Sequence, residues 1–184
     1  MEIYTQLKKI NMKKFTTIAA IAAIMIASVT VSNAQTDIKS ATATATATII
    51  TPITITKVND LNFGNIVSTS TGGTVVLSAA GARTESGVQL PTATGTITAA
   101  SFTITGESGY AYALTLPTED YTLTTGAAGA TQTMTLNAFT SDKTATIAGG
   151  SVILSVGATL NLAANQVAGI YTNATPFTVS VNYN

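Results

Sequence analysis

The sequence predicts an all-β chain, a two-sheet antiparallel β-sandwich, on three observations. Apolar side chains recur with a period of two along most of its length, the strand period, because successive side chains point to opposite faces of a sheet. Gly, Pro and Asn punctuate that alternation at short intervals. Threonine supplies 37 of the 184 residues, and its branched side chain packs on a pleated surface while its hydroxyl faces water. Beyond the N-terminal stretch no segment carries an apolar stripe at helical spacing for more than about two turns.

The elements follow in order. Thr42, Thr44, Thr46 and Thr48 alternate with alanines and run into Ile49 and Ile50. Pro52 has no amide donor for a ladder, so the simplest expectation is one strand that bends there and passes from one sheet to the other through Ile53 and Ile55. Leu61 and Phe63 share a face before a bulge at Gly64-Asn65, Val75 and Leu77 follow the Gly72-Gly73 turn, and Val88 and Leu90 precede Pro91. Ile97 is odd-numbered whereas Phe102 and Ile104 are even, which requires a break near Ala99-Ala100. Tyr110, Tyr112, Leu114 and Leu116 read as one face of a strand ended by Pro117. Tyr121 and Leu123 lead to the loop Gly126–Gly129, then Met134 and Leu136 alternate with Thr133 and Thr135. Val152, Leu154, Val156, Leu160 and Leu162 form the next run, and Phe177, Val179, Val181 and Tyr183 the last. That amounts to roughly nine to eleven short strands, the count of a sandwich. Thr-x-Thr pairs recur without a fixed separation, so the repeating rungs of a β-helix are not indicated.

The first residues read as a targeting segment. Lys8, Lys9, Lys13 and Lys14 precede an apolar run from Ile18 to Ala27, too short to span a bilayer comfortably, and Ser32-Asn33-Ala34 offers small residues to a signal peptidase. The expected organisation is a signal peptide over residues 1–34 and a single β-sandwich domain over residues 35–184, exported to the periplasm, cell surface or extracellular space. Met12-Lys13-Lys14 also reads as a translation start. Cleavage leaves Lys39, Lys57, Arg83 and Lys143 against seven carboxylates, a net charge of −3. With no basic cluster, nucleic acid and membrane insertion of the mature chain are not expected. No cysteine is available for disulfides, so burial and backbone pairing must hold the fold.

Only 9% of residues are charged, and His, Cys and Trp are absent. General bases, thiolate nucleophiles and nitrogen or sulfur metal ligands come largely from those missing types, so the chain is not expected to be an enzyme or to hold a cofactor. Glu119-Asp120, the only adjacent carboxylate pair, reads as a solvated turn. Asn59, Asp60 and Asn62, or Ser141 and Asp142, offer hard oxygen ligands for calcium but lack a dense Asp-x-Asp-x-Asp-Gly loop. Arg83 is the sole arginine, with Glu85 and Glu107 as partners within reach, and an Arg83–Glu107 structural clamp between loops is the expectation.

Specific residues carry a resemblance. Ile53–Lys57 leading to Asp60–Ile66, Gly81-Ala82-Arg83-Thr84 before Gly87-Val88, Phe102–Glu107, and Ala168-Gly169-Ile170-Tyr171 before a closing Val-x-Val-Asn-Tyr strand together resemble the bacterial domain-of-unknown-function family numbered 4402. The similarity covers roughly Ala41 to Asn184, and the family name assigns no activity. The closing segment is also similar, more weakly, to spore coat U domains and chaperone-usher pilin subunits, which implies an immunoglobulin-like sandwich.

The terminal strands carry the functional expectation. Residues 41–56 contain no charge, nor do residues 144–184, whereas natural sheets guard exposed edges with Lys, Pro or inward charge. Such strands either pair internally or recruit another chain. The leading expectation is an exported, non-catalytic structural subunit that self-associates or meets a surface partner by strand addition. Thr42, Thr44, Thr46, Thr48, Ile49 and Ile50 are the added strand, and Phe177, Val179, Val181 and Tyr183 the strand it meets. The alternative is a stand-alone adhesion or glycan-binding module, relying on tyrosines such as Tyr110, Tyr121, Tyr171 or Tyr183 near Asn161, Asn165 or Asn173.

Overall fold

The computed structural model describes residues 38–125, 132–142 and 146–184. The signal peptide expected over residues 1–34, the alternative start at Met12 and the Gly126–Gly129 loop lie outside the described residues. The chain divides into two units after Ala47. Of the first, the described part is Ile38–Ala47, which is exposed and carries no strand. The second, Thr48–Asn184, is all-β and antiparallel, with no helix among the described residues.

Its strands are β1 (Thr54–Asn59), β2 (Gly73–Leu77), β3 (Arg83–Ser86), β4 (Ala100–Thr105), β5 (Tyr112–Thr115), β6 (Tyr121–Thr124), β7 (Thr133–Ser141), β8 (Ser151–Leu162), β9 (Thr172–Asn173) and β10 (Ser180–Tyr183). The larger sheet runs β1-β4-β8-β7-β6-β9, with β2 also on β8 and β3 on β2; β10 and β5 make a second, two-stranded sheet.

The organising element is β8, whose even-numbered residues turn inward and whose odd-numbered ones turn out, as period two requires. Its first half pairs with β4 through Ser151–Val156, and its second half pairs with β2 through Ala158–Leu162. β7 takes the opposite edge. Gly157 stands where β4 hands over to β2, and a Cβ there would collide with the Leu77 carbonyl and lie 2.6 Å from the Ser78 carbonyl carbon. Glycine is therefore a requirement of close approach, not of dihedral freedom.

The handover divides the core in two. Leu154 and Val156 bury with Ala100, Ile104, Tyr112, Ile147 and Val179, and this cluster is covered by the β5–β10 sheet. Ala158, Leu160 and Leu162 bury with Val75, Leu77, Leu136, Phe63 and Val88. Two irregular segments cover that second cluster, joined by the isolated bridges Asn62↔Thr98 and Val67↔Gln89. The strands expected around Leu61-Phe63 and Val88-Leu90 are thus corrected to bridged loops. Gly64 in the left-handed region and the Asn65 amide bonded to the Thr94 carbonyl keep their backbones off a regular ladder.

Three further differences have local causes. The strand expected across Thr42–Ile50 forms no ladder among the described residues; pairing begins at Thr54, after Pro52. Tyr110 does not share the face of Tyr112: it is 45% exposed against 2%, because the backbone reaches β5 only at Tyr112 after the Gly109 turn. In β7, Ala138 takes a positive φ of 50° and the register to β8 slips between Asn137 and Thr140. That bulge changes parity, so Leu136 and Phe139 both reach the interior. The break expected near Ala99 is present: Thr98 belongs to a bridge, Ala99 to none, and β4 starts at Ala100.

Candidate functional site

The sequence candidates sit at both chain ends of the folded unit. Residues 41–49 are exposed, and Ile50 is half-buried. Along this uncharged segment the odd positions present alanine and Ile49, and the even ones threonine. At the other end Val179 is buried, and Phe177, Val181 and Tyr183 are half-buried against the core. Val181 lies opposite Leu114 and Tyr183 opposite Tyr112. The apolar side chains of this closing run are committed inward, so β10 offers a newcomer its main-chain groups and the exposed side chains of Ser180 and Asn182.

Thr51 joins the two ends. Its amide donates to Glu107 Oε2 at 2.9 Å, and its carbonyl accepts from the Tyr183 hydroxyl at 2.7 Å. The same hydroxyl accepts from the Glu107 amide at 2.6 Å. Three segments distant in sequence meet here: the exit of the exposed segment, the turn after β4, and the last strand. Gly106 makes room, since a Cβ there would meet the Tyr183 hydroxyl and lie 2.8 Å from Ile147 Cδ1. The two Thr51 contacts, the backbone one foremost, hold the exposed Glu107 carboxyl below its ordinary range.

Arg83 and Glu107 serve separate junctions. The Arg83 guanidinium donates through Nη1 to the Phe63 carbonyl and, at 2.9 Å, to the Asn65 carbonyl. The expected Arg83–Glu107 pairing is corrected: the guanidinium clamps the covering loop through main-chain oxygens, which its planar fork suits, while Glu107 holds Thr51. Asp120 accepts from Asn137 Nδ2 at 3.0 Å, and Asp142 accepts from the Ser155 amide at 2.8 Å. The calcium candidates look to different partners: Asp60 holds Lys57 at 2.6 Å, Asn62 Oδ1 accepts from the Gly64 amide, and Asn59 donates to Ser101. Among the described residues no three carboxylates converge.

Burial pushes the Tyr112 phenol up, with the Asp142 charge adding to it. Its hydroxyl is buried without a protein partner. The other tyrosines have their own tasks. Tyr121 packs edge-on against Phe139 and Phe177, and Tyr110 against Tyr183. The Tyr171 hydroxyl accepts from Gln166 Nε2 at 2.9 Å and donates to the Val167 carbonyl at 2.7 Å. Asn161 bonds Thr135 and Asn137, and Asn173 bonds Thr175.

A cleft that sequence reasoning did not anticipate opens beside the second core cluster, with a volume of about 1030 Å³. Its floor is Leu123, Met134, Leu136, Leu160 and Leu162; its walls are residues 59–68 and 166–173. The wall 166–173 is held in shape from within. Gln166 is buried and accepts from the Ala163 amide at 3.1 Å, and the Asn165 amide donates to the Thr69 carbonyl at 2.8 Å. Ile170 remains 84% exposed on the lip. The lining's charges, Lys57 and Asp60, neutralise each other. No residue pattern could have announced this cleft, because its floor reads as ordinary strand core and its walls as loops.

A family model described as a domain of unknown function (DUF4402) matches residues 53–183. The match begins just after Pro52, so it spans the paired strands and leaves the exposed segment outside. No curated protein and no solved structure matches the chain.

Proposed function

The chain belongs to the family described as a domain of unknown function (DUF4402), and from that premise we propose that it is an exported, non-catalytic structural subunit of the cell surface that assembles by β-strand addition. In this reading the strands form an immunoglobulin-like sandwich of the kind seen in pilin subunits, delivered by a cleaved signal peptide. One observation carries the proposal: a segment with strand alternation and no charge, residues 41–49, lies exposed without a ladder among the described residues. An extended uncharged strand of that kind is what a sheet edge recruits. The two-stranded β5–β10 sheet supplies uncharged edges, since residues 111–116 and 177–184 carry no Asp, Glu, Lys or Arg.

The test is physical association. Light scattering on the purified native chain at rising concentration should show growing oligomers, electron microscopy should show filaments, and gels of unheated samples should show a ladder that heat removes. A clean monomer at every concentration, without filaments or ladder, would falsify assembly.

A further inference from the structure

We propose that the outward face of the larger sheet binds ice. The inference uses a sheet face instead of a sheet edge and does not rest on assembly.

Threonine makes up 37 of the 184 residues, and neither the core nor the junctions at Thr51 and Arg83 account for it. Along the chain the Thr-x-Thr pairs have no period, but the fold brings them into register. Among the described residues the strands hold four such pairs, Thr54/Thr56 in β1, Thr103/Thr105 in β4, Thr122/Thr124 in β6 and Thr133/Thr135 in β7. Each is set directly against another: Thr54↔Thr105 with Thr56↔Thr103, and Thr122↔Thr135 with Thr124↔Thr133. The result is two squares of threonine. Both lie on one face, because Ser151 continues the first and Asn161 the second, and both of these are odd-numbered, outward residues of β8. None of the threonines in the squares is buried.

The sheet sets their spacing at about 4.8 Å from strand to strand and about 6.7 Å along a strand, two residues at the strand rise. Oxygens repeat at similar intervals on a prism face of hexagonal ice. Each threonine brings a hydroxyl, which can bond a lattice water, and a methyl, which fills the gap beside it. The branched side chain is stiff at χ1, so the array is set before ice arrives. The Thr54 and Thr105 hydroxyls bond each other at 2.6 Å, which fixes that row further and leaves one proton and free lone pairs for water. Neighbouring strands twist by about 20–25°, and each square takes only one such step, so its four side chains stay near one plane.

Charge and ring content favour this ligand. The squares and their continuations Ser151, Ile153 and Asn161 contain no Asp, Glu, Lys or Arg, and an ionised group would hold its own hydration against the lattice. Asp120, just before β6, and Asp142, just after β7, are held by the Asn137 side chain and the Ser155 amide. A neutral polysaccharide would also meet an uncharged face, but no aromatic ring stands at these positions to stack a sugar.

The full chain at micromolar concentration is tested on the growth habit of a single ice crystal and on the coarsening of polycrystalline ice. Faceted crystals and arrested coarsening are expected, against rounded, coarsening ice with serum albumin at equal mass. Thr56→Tyr combined with Thr122→Tyr puts a bulky, strand-compatible ring into each square; it should keep the native circular dichroism and lose potency several-fold. Asn182→Tyr, on the exposed side of β10, should match the native chain. A native chain that leaves ice unshaped overturns the proposal, as does a folded double variant of full potency or an Asn182→Tyr protein as weak as the double variant. Should the double variant not fold, Thr56→Ser with Thr122→Ser, which keeps both hydroxyls and removes both methyls, is read for the same two outcomes. Sedimentation of the native chain with microcrystalline cellulose, without any effect on ice, assigns the face to a neutral polysaccharide and also overturns it. A chain that shapes ice yet stays monomeric by light scattering supports this inference while sinking assembly.

Discussion

Deleting one hydroxyl from each of two facing tyrosines should shift stability in opposite directions. Tyr112 and Tyr183 are cross-strand partners in the β5–β10 ladder, so Tyr→Phe is the same chemical change in nearly the same place. The Tyr183 hydroxyl makes two hydrogen bonds, to the Thr51 carbonyl at 2.7 Å and from the Glu107 amide at 2.6 Å. At about 1 kcal/mol net for each bond, Tyr183→Phe should cost about 2 kcal/mol. The Tyr112 hydroxyl is buried without a protein partner, and a buried unsatisfied group costs about 1–3 kcal/mol. Tyr112→Phe removes that penalty with little change in packing and should gain about 1 kcal/mol. For a domain of this size about 1 kcal/mol corresponds to about 3 °C in Tm, so the two variants should melt about 9 °C apart. Circular dichroism through thermal and urea unfolding at pH 7 reads this directly, and the double variant measures their coupling. Alkaline pH adds an independent check. The folded state holds the Tyr112 phenol above its ordinary value, so the unfolded chain ionises first, and stability should fall as pH rises past about 10. Tyr112→Phe should remove that part of the decline. A Tyr112→Phe protein destabilised by more than about 1 kcal/mol, or a neutral Tyr183→Phe, would refute the reasoning.

Four other outcomes follow from the geometry. Gly157→Ala places a Cβ against the Leu77 carbonyl and the Ser78 backbone at the β4-to-β2 handover, and should cost about 3 kcal/mol or more, as the drop in urea midpoint will show. Ala138→Gly relieves a left-handed alanine at the β7 bulge and should gain about 0.5–1 kcal/mol in the same assay. Glu107 is held below its ordinary pKa of 4.5 chiefly by the Thr51 amide. Its contribution is complete above that value and is lost as pH falls through the lower folded one, so Glu107→Gln should flatten the stability profile in that acid window. Ala45→Lys puts a guarding charge on the exposed segment and should abolish concentration-dependent growth in light scattering while leaving the Tm of the dilute, unassembled chain unchanged.

Much of the fold is legible along the chain because burial in a sheet alternates. The inward set of β8, Val152 through Leu162, follows from parity alone, and the parity conflict between Ile97 and Ile104 marks the start of β4. Parity is silent where the ladder is irregular. Phe63 and Val88 look like strand residues yet cover the core from bridged loops, and β3 is too polar to show a period. The candidate ends are likewise only half legible. Absence of charge marks residues 41–50 and the run from Phe177 to Tyr183, but Thr51, whose main chain joins these ends, carries no signal at all. Arg83 is conspicuous as the lone guanidinium, and still its partners are carbonyls, which no residue type advertises.

What the sequence determines by itself is an all-β antiparallel chain poor in titratable groups, with an alternating, uncharged N-terminal segment, because strand period and composition are local properties. The tertiary structure alone decides which strands share β8, where Gly157 must yield to Leu77, that Tyr183 and Glu107 grip Thr51, and that loops rather than a ladder cover the second core cluster. Those features depend on backbone groups brought together from positions up to 132 residues apart. Every residue carries the same amide and carbonyl, so only the folded path distinguishes one such meeting from another.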